Sequence, residues 1–135
     1  MRLVDTNVLI DIATDDPHWA DWSLQHLELA SLQGPLLINE IIYAELSVGF
    51  DRIEELNAFL EGAGIEMHYL PTPALFLAGK AFGRYRRAGG LRSNILADFF
   101  IGAHAAVSRL PLLTRDARKY QTYFPDIEVI APSRV

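Results

Sequence analysis

Five short apolar runs, set apart by longer stretches of helical periodicity, constrain this chain more than any other feature. Residues 3–4, 36–38, 66–70, 112–113 and 128–130 are rich in Val, Ile and Leu, and most are apolar at successive positions. Strands of that kind must be covered on both faces, and strands that alternate with helices run parallel. The expected class is α/β, with a sheet sandwiched between helices. Residues 19–32 carry Trp19, Trp22, Leu27 and Leu29 or Ala30 on one stripe and meet Gly34-Pro35 as a stop. Asn39 is placed to cap a helix over 40–48, with Gly49 following, and Asp51 with Glu54 forms a capping-box pattern for a helix over 51–60. Thr72-Pro73 opens a helix that runs to Ala88 before Gly89-Gly90, and a further helix covers 95–108. No internal repeat, linker or low-complexity stretch divides the chain, so its 135 residues are expected to form one domain spanning residues 1–135.

Composition excludes several chemistries. The chain has no cysteine, which removes disulfides, thiolate zinc sites and cysteine nucleophiles. The opening Arg2-Leu3-Val4 reads as a strand rather than an export leader, and no window reaches the length of a membrane span, so the expected location is the cytoplasm, with no membrane partner. A net charge of −5 conceals strong polarity. Residues 1–66 hold thirteen Asp and Glu against Arg2 and Arg52, whereas residues 67–135 hold ten Lys and Arg against four acids. Residues 67–97 contain no acid and carry Lys80, Arg84, Arg86, Arg87 and Arg92. That tract reads either as a solvated helix face or as a surface for phosphates.

Four acids stand where packing alone would not put them. Asp5 follows the first strand and Asp116 follows the fourth, each with a helix cap as its ordinary alternative role. Glu45 lies four residues after Ile41 and three after Ile42, on the face that those side chains turn toward the sheet. Asp98 lies among Ile95, Ile101 and Gly102; its ordinary alternative is a first-turn acid favoured by the helix dipole. A buried carboxylate costs several kcal/mol, roughly, unless it is paired or metal-bound, so one shared cause explains four placements better than four coincidences. In parallel sheets ligands bind beyond the carboxyl ends of the strands where strand order reverses. If strands one and four are neighbours there, Asp5 and Asp116 flank that crevice and Glu45 and Asp98 reach it from helices. Oxygen ligands without Cys or a His pair suit Mg²⁺ or Mn²⁺ rather than zinc, and such an ion activates water toward a phosphodiester. Thr6, Asn7 and Thr114 adjoin two of the acids and are candidates to orient them. His104 falls off the Asp98 face and reads as structural or partner-contacting, and His18, His26 and His68 show no metal spacing.

Taken together, Val4-Asp5-Thr6-Asn7-Val8-Leu9-Ile10-Asp11, Glu45 with Gly49 four residues later, Ala97-Asp98-Phe99-Phe100-Ile101-Gly102-Ala103-His104-Ala105 and Thr114-Arg115-Asp116 resemble the PIN-domain family, and within it the VapC-type toxins. The resemblance spans essentially the whole chain. It implies a five-stranded parallel sheet in the order 3-2-1-4-5, a homodimer, and Mg²⁺-dependent endonucleolytic cleavage of an RNA substrate, with the four acidic positions of the family on Asp5, Glu45, Asp98 and Asp116. It also implies a cognate VapB-type antitoxin that wraps the domain and presents an arginine to the carboxylates. Asp11 matches the first motif but reads as a helix residue more than a ligand. Arg84, Arg86, Arg87 and Arg92 are then the candidates for RNA phosphate contact. A haloacid-dehalogenase-like phosphatase or a receiver domain also carries Asp after its first strand. Residue 7, however, is Asn where those phosphatases repeat an Asp, and neither Lys80 nor Lys119 follows a strand end. A housekeeping PIN nuclease and a non-catalytic PIN-like binding module are the remaining alternatives. A short upstream reading frame for a small DNA-binding protein would favour the toxin.

Overall fold

The computed structural model describes residues 1–92 and 95–132, so Ser93, Asn94 and residues 133–135 of the expected 1–135 unit lie outside the described residues. Elements follow in the order β1 (Arg2–Val4), α1 (Thr6–Ala13), α2 (Ala20–Ser31), β2 (Leu36–Ile38), α3 (Glu40–Ser47), α4 (Ile53–Gly62), β3 (Ile65–Met67), α5 (Thr72–Arg87), α6 (Leu96–Ser108), β4 (Leu112–Leu113), α7 (Arg118–Gln121) and β5 (Val129–Ile130). The five strands form one sheet in the order β3-β2-β1-β4-β5, and every pairing is parallel. Leu3 pairs with Leu37 on one side and Leu112 on the other, so β1 is central and the strand order reverses beside it. Leu3, Val4, Leu36, Leu37, Ile38, Leu112 and Leu113 are all 3% exposed or less, whichever face they point to. That burial is why short, uniformly apolar strands suffice here.

A second core lies away from the sheet. Ala74, Ala78 and Ala81 repeat at helical spacing along α5 and let it approach α6, where Phe99 and Ala103 complete the contact with Phe124. Phe99 sits among the rings of Phe82, Tyr85, Tyr123 and Phe124.

Local signals explain most of the boundaries. Asn39 caps α3 by accepting the Ile42 N–H at 3.0 Å. Gly34 adopts a φ of 143°, open to a residue without Cβ, and turns the chain from α2 into β2. Three expectations shift. The Asp51–Glu54 box does not form: α4 starts at Ile53, and Glu54 pairs instead with Arg52 on an exposed surface. β3 runs 65–67 rather than 66–70, because the Leu70 N–H is taken by the Glu40 carboxylate and Pro71 has no N–H to offer. Pro71, not Thr72, is the cap residue of α5. No described helix is long and apolar enough to cross a membrane.

Candidate active site

β1 delivers Asp5 to the carboxyl edge of the sheet, next to β4, whose Leu113 carbonyl accepts the Asp5 N–H at 2.8 Å. Asp5 is 1% exposed. Its Oδ1 accepts the Thr6 N–H at 2.7 Å, so it also caps α1. Its Oδ2 accepts the Thr114 hydroxyl at 2.8 Å and the Tyr120 hydroxyl at 2.7 Å, with the Lys119 ammonium 3.6 Å away. A buried carboxylate is tolerable because both oxygens are served. Burial, reinforced by the negative charge of Asp5, lifts the Tyr120 phenol well above its ordinary range, which keeps it a proton donor to Asp5.

The other acids are tied to this centre by different links. Thr6 serves two carboxylates, since its N–H faces Asp5 and its hydroxyl donates to Glu45 Oε1 at 2.6 Å. Asp98, in the first turn of α6, meets the Lys119 ammonium at 3.3 Å. Asp116 donates its backbone N–H to Thr114 Oγ1 at 3.1 Å, and its charge acts on both Asp98 and Lys119. Burial raises the pKa of Glu45, and the charges of Asp5 and Asp98 add to the rise against the opposing Thr6 hydrogen bond. Burial likewise raises Asp98, with Asp5 and Asp116 adding to it and Lys119 opposing. Burial disfavours the charge on Lys119, but Asp5, Asp98 and Asp116 outweigh it and raise its pKa. The four acids therefore share one electrostatic environment.

Asn7 completes the local frame. Its Nδ2 donates to Thr114 Oγ1 at 3.2 Å and its Oδ1 accepts the Arg115 N–H at 3.3 Å. Asp11 belongs elsewhere: it is buried, paired with Arg115 Nε at 2.8 Å and accepts the Ser23 hydroxyl at 2.9 Å. Arg115 also lies over the Trp19 ring. His104 is fully buried, accepting from Asn39 Nδ2 at Nδ1 and meeting His68 Nδ1 through Nε2, each at 2.9 Å. Burial, with the neighbouring His68, lowers its pKa to about 4, so it is a neutral structural strut between α3 and α6.

Arg84, Arg86 and Arg87 lie exposed on the last turns of α5, and Arg92 lies exposed just beyond it. Among the described residues none of these four forms an ion pair. They border the acid cluster in sequence, not by contact. Lys119 and Tyr120 are the participants that sequence reasoning missed as site residues. The available signal was their spacing of three and four residues after Asp116. Among the described residues no three His, Asp or Glu side chains stand in a ready-made ligand set. A cation nonetheless already bridges Asp98 and Asp5, in the form of the Lys119 ammonium.

A family model described as PIN domain matches residues 2–125. No curated protein matches the sequence. Among solved structures the chain is similar to VapBC2 from Rickettsia felis bound to a DNA fragment from its promoter, with a TM-score of 0.73 and 20% identity over 96% of this chain and 97% of that one. It is similar to DNA-bound VapBC from Salmonella typhimurium, with a TM-score of 0.70 and 22% identity over 97% and 98% of the two chains. A toxin-antitoxin complex from Klebsiella pneumoniae gives a TM-score of 0.70 and 23% identity over the whole of both chains. At such identities the likeness is one of fold.

Proposed function

The chain belongs to the PIN domain family, and from that membership we propose that it is a Mg²⁺- or Mn²⁺-dependent endoribonuclease acting as the toxin of a toxin-antitoxin pair. PIN domains are nucleases and generally use divalent metal ions. What supports the reading is the set of links that join these acids: Thr6 serves both Asp5 and Glu45, Lys119 lies between Asp5 and Asp98, and the charge of Asp116 acts on Asp98. The donor set fits a hard divalent ion, because it consists of carboxylate oxygens and already accommodates a positive charge from Lys119. Asp5, Glu45, Asp98 and Asp116 would hold the ion. Once bound, it supplies an activated water and offsets charge on the phosphate.

The chain's own side chains do the positioning. Thr114 and Tyr120 fix Asp5 Oδ2, and Thr6 fixes Asp5 Oδ1 and Glu45 Oε1 together. Glu45 is oriented by the Thr6 hydroxyl, which donates to its Oε1. Hydrolysis then adds hydroxide to phosphorus and returns a proton to the departing ribose oxygen. Arg84, Arg86, Arg87 and Arg92 offer exposed positive charge for the RNA backbone. The VapBC structures that share this fold support a VapB-type antitoxin as partner. A homodimer working in the cytoplasm completes the proposal.

The test is cleavage of RNA by the purified protein. Activity is expected with Mg²⁺ or Mn²⁺ and none in EDTA. Asp5→Asn and Asp98→Asn are each expected to lower it by at least about 100-fold, more than residues that merely support a ligand, with circular dichroism unchanged. Cleavage that persists in both variants excludes this pocket as the site.

A further inference from the structure

Two carboxylates from opposite ends of the chain share one positive charge that the protein itself supplies. Lys119 Nζ lies 3.3 Å from Asp98 Oδ1 and 3.6 Å from Asp5 Oδ2. The remaining donors to Asp5, from Thr6, Thr114 and Tyr120, come from buried residues. Lys119 differs from them: its side chain is 29% exposed, so the ammonium enters from the rim of the pocket. Like charges brought this close repel unless a cation stands among them. The two carboxylates that face Nζ, Asp5 and Asp98, are also two of the four residues that would hold a metal ion.

We infer that Lys119 is a resident counter-ion, which keeps the pocket assembled without metal and is displaced when a divalent cation loads. The inference rests on the reading of Asp5 and Asp98 as metal ligands. A lysine is suited to this exchange, because its four-carbon stem lets the ammonium swing out to water while the stem stays packed. Thr6, Thr114 and Tyr120 keep their hydrogen bonds to Asp5 throughout, so loading swaps one cation for another and leaves the rest of the frame in place. Lys119 is thus a positioning residue, and it sets metal affinity.

Mn²⁺ titration calorimetry at fixed ionic strength, with thermal unfolding in EDTA and in Mn²⁺, tests this on the full chain. Lys119→Met is expected to bind Mn²⁺ about tenfold more tightly than wild type, since no bound charge has to leave. It is also expected to unfold at a lower temperature in EDTA and to gain more from added Mn²⁺. Lys119→Arg keeps the charge and is expected to bind Mn²⁺ no more tightly than wild type. Should Lys119→Met bind with unchanged or weaker affinity, or Lys119→Arg bind more tightly, the inference is overturned. Loss of binding in Asp98→Asn would then leave the metal site itself standing. Absence of Mn²⁺ binding in wild type and Lys119→Met alike overturns both the counter-ion and the metal reading.

Discussion

His104 serves the frame of the fold, between Asn39 and His68. Its Nδ1 accepts from Asn39, so in the neutral ring the proton sits on Nε2 and faces His68. The folded pKa is lowered from 6.5 to about 4. Between those values the unfolded chain takes up a proton that the folded chain refuses, so the contribution to stability is complete above pH 6.5 and is lost as pH falls through about 4. Urea unfolding of wild type and His104→Gln at a series of pH values is expected to show a steeper loss for wild type over that window, amounting to at most about 3 kcal/mol. Parallel curves would place the titration elsewhere. At this scale Asp5 and Glu45 stand out in the sequence because each interrupts an apolar pattern: Asp5 follows Leu3-Val4 and Glu45 sits among Ile41, Ile42 and Leu46. Lys119 and Tyr120 break no pattern. A lysine in a polar stretch near residue 118 has the look of solvent-facing charge, and only the tertiary contact with Asp5, more than a hundred residues away, reveals otherwise.

Among the elements, α6 is closely fitted to its neighbours at Gly102. A Cβ placed on Gly102 would come within 2.5 Å of the Phe124 ring, and Phe124 is itself buried in the aromatic cluster around Phe99. The ring cannot retreat without disturbing that cluster. Gly102→Ala is therefore expected to destabilise the protein by about 1–3 kcal/mol, read as a drop in thermal midpoint. Gly62→Ala, where nothing lies within 4 Å of the added carbon, is the matched control. Long helices such as α2 and α5 were readable from periodicity and from Gly and Pro stops. The four-residue α7 was not, because a single turn presents too few positions to establish a stripe. The start of α4 was misread for a related reason. A capping box is a local signal, and the local competitor here is the Arg52–Glu54 pair.

For the whole molecule, the parallel arrangement of the sheet is legible in a few residues, whereas its order was implied by the family resemblance alone. Uniformly apolar pairs such as Leu112-Leu113 demand cover on both faces, and that in turn demands helical crossovers between parallel strands. The charge asymmetry between the two halves of the chain acts at the same scale. Its acid-free tract ends in the exposed Arg84, Arg86, Arg87 and Arg92, a surface suited to a polyanion. Binding of RNA to the Asp98→Asn protein, measured against salt concentration, is expected to weaken when these four become Ala, with the salt slope reduced by about 3. Unchanged affinity and slope would make the tract an ordinary solvated face.

The donors to Asp5 also set a schedule. Thr114 and Tyr120 lie 109 and 115 residues downstream of the carboxylate they serve. A chain still emerging from the ribosome therefore carries Asp5 without either hydroxyl partner until Thr114 and Tyr120 have been added, so the fully served carboxylate is a product of late, long-range closure.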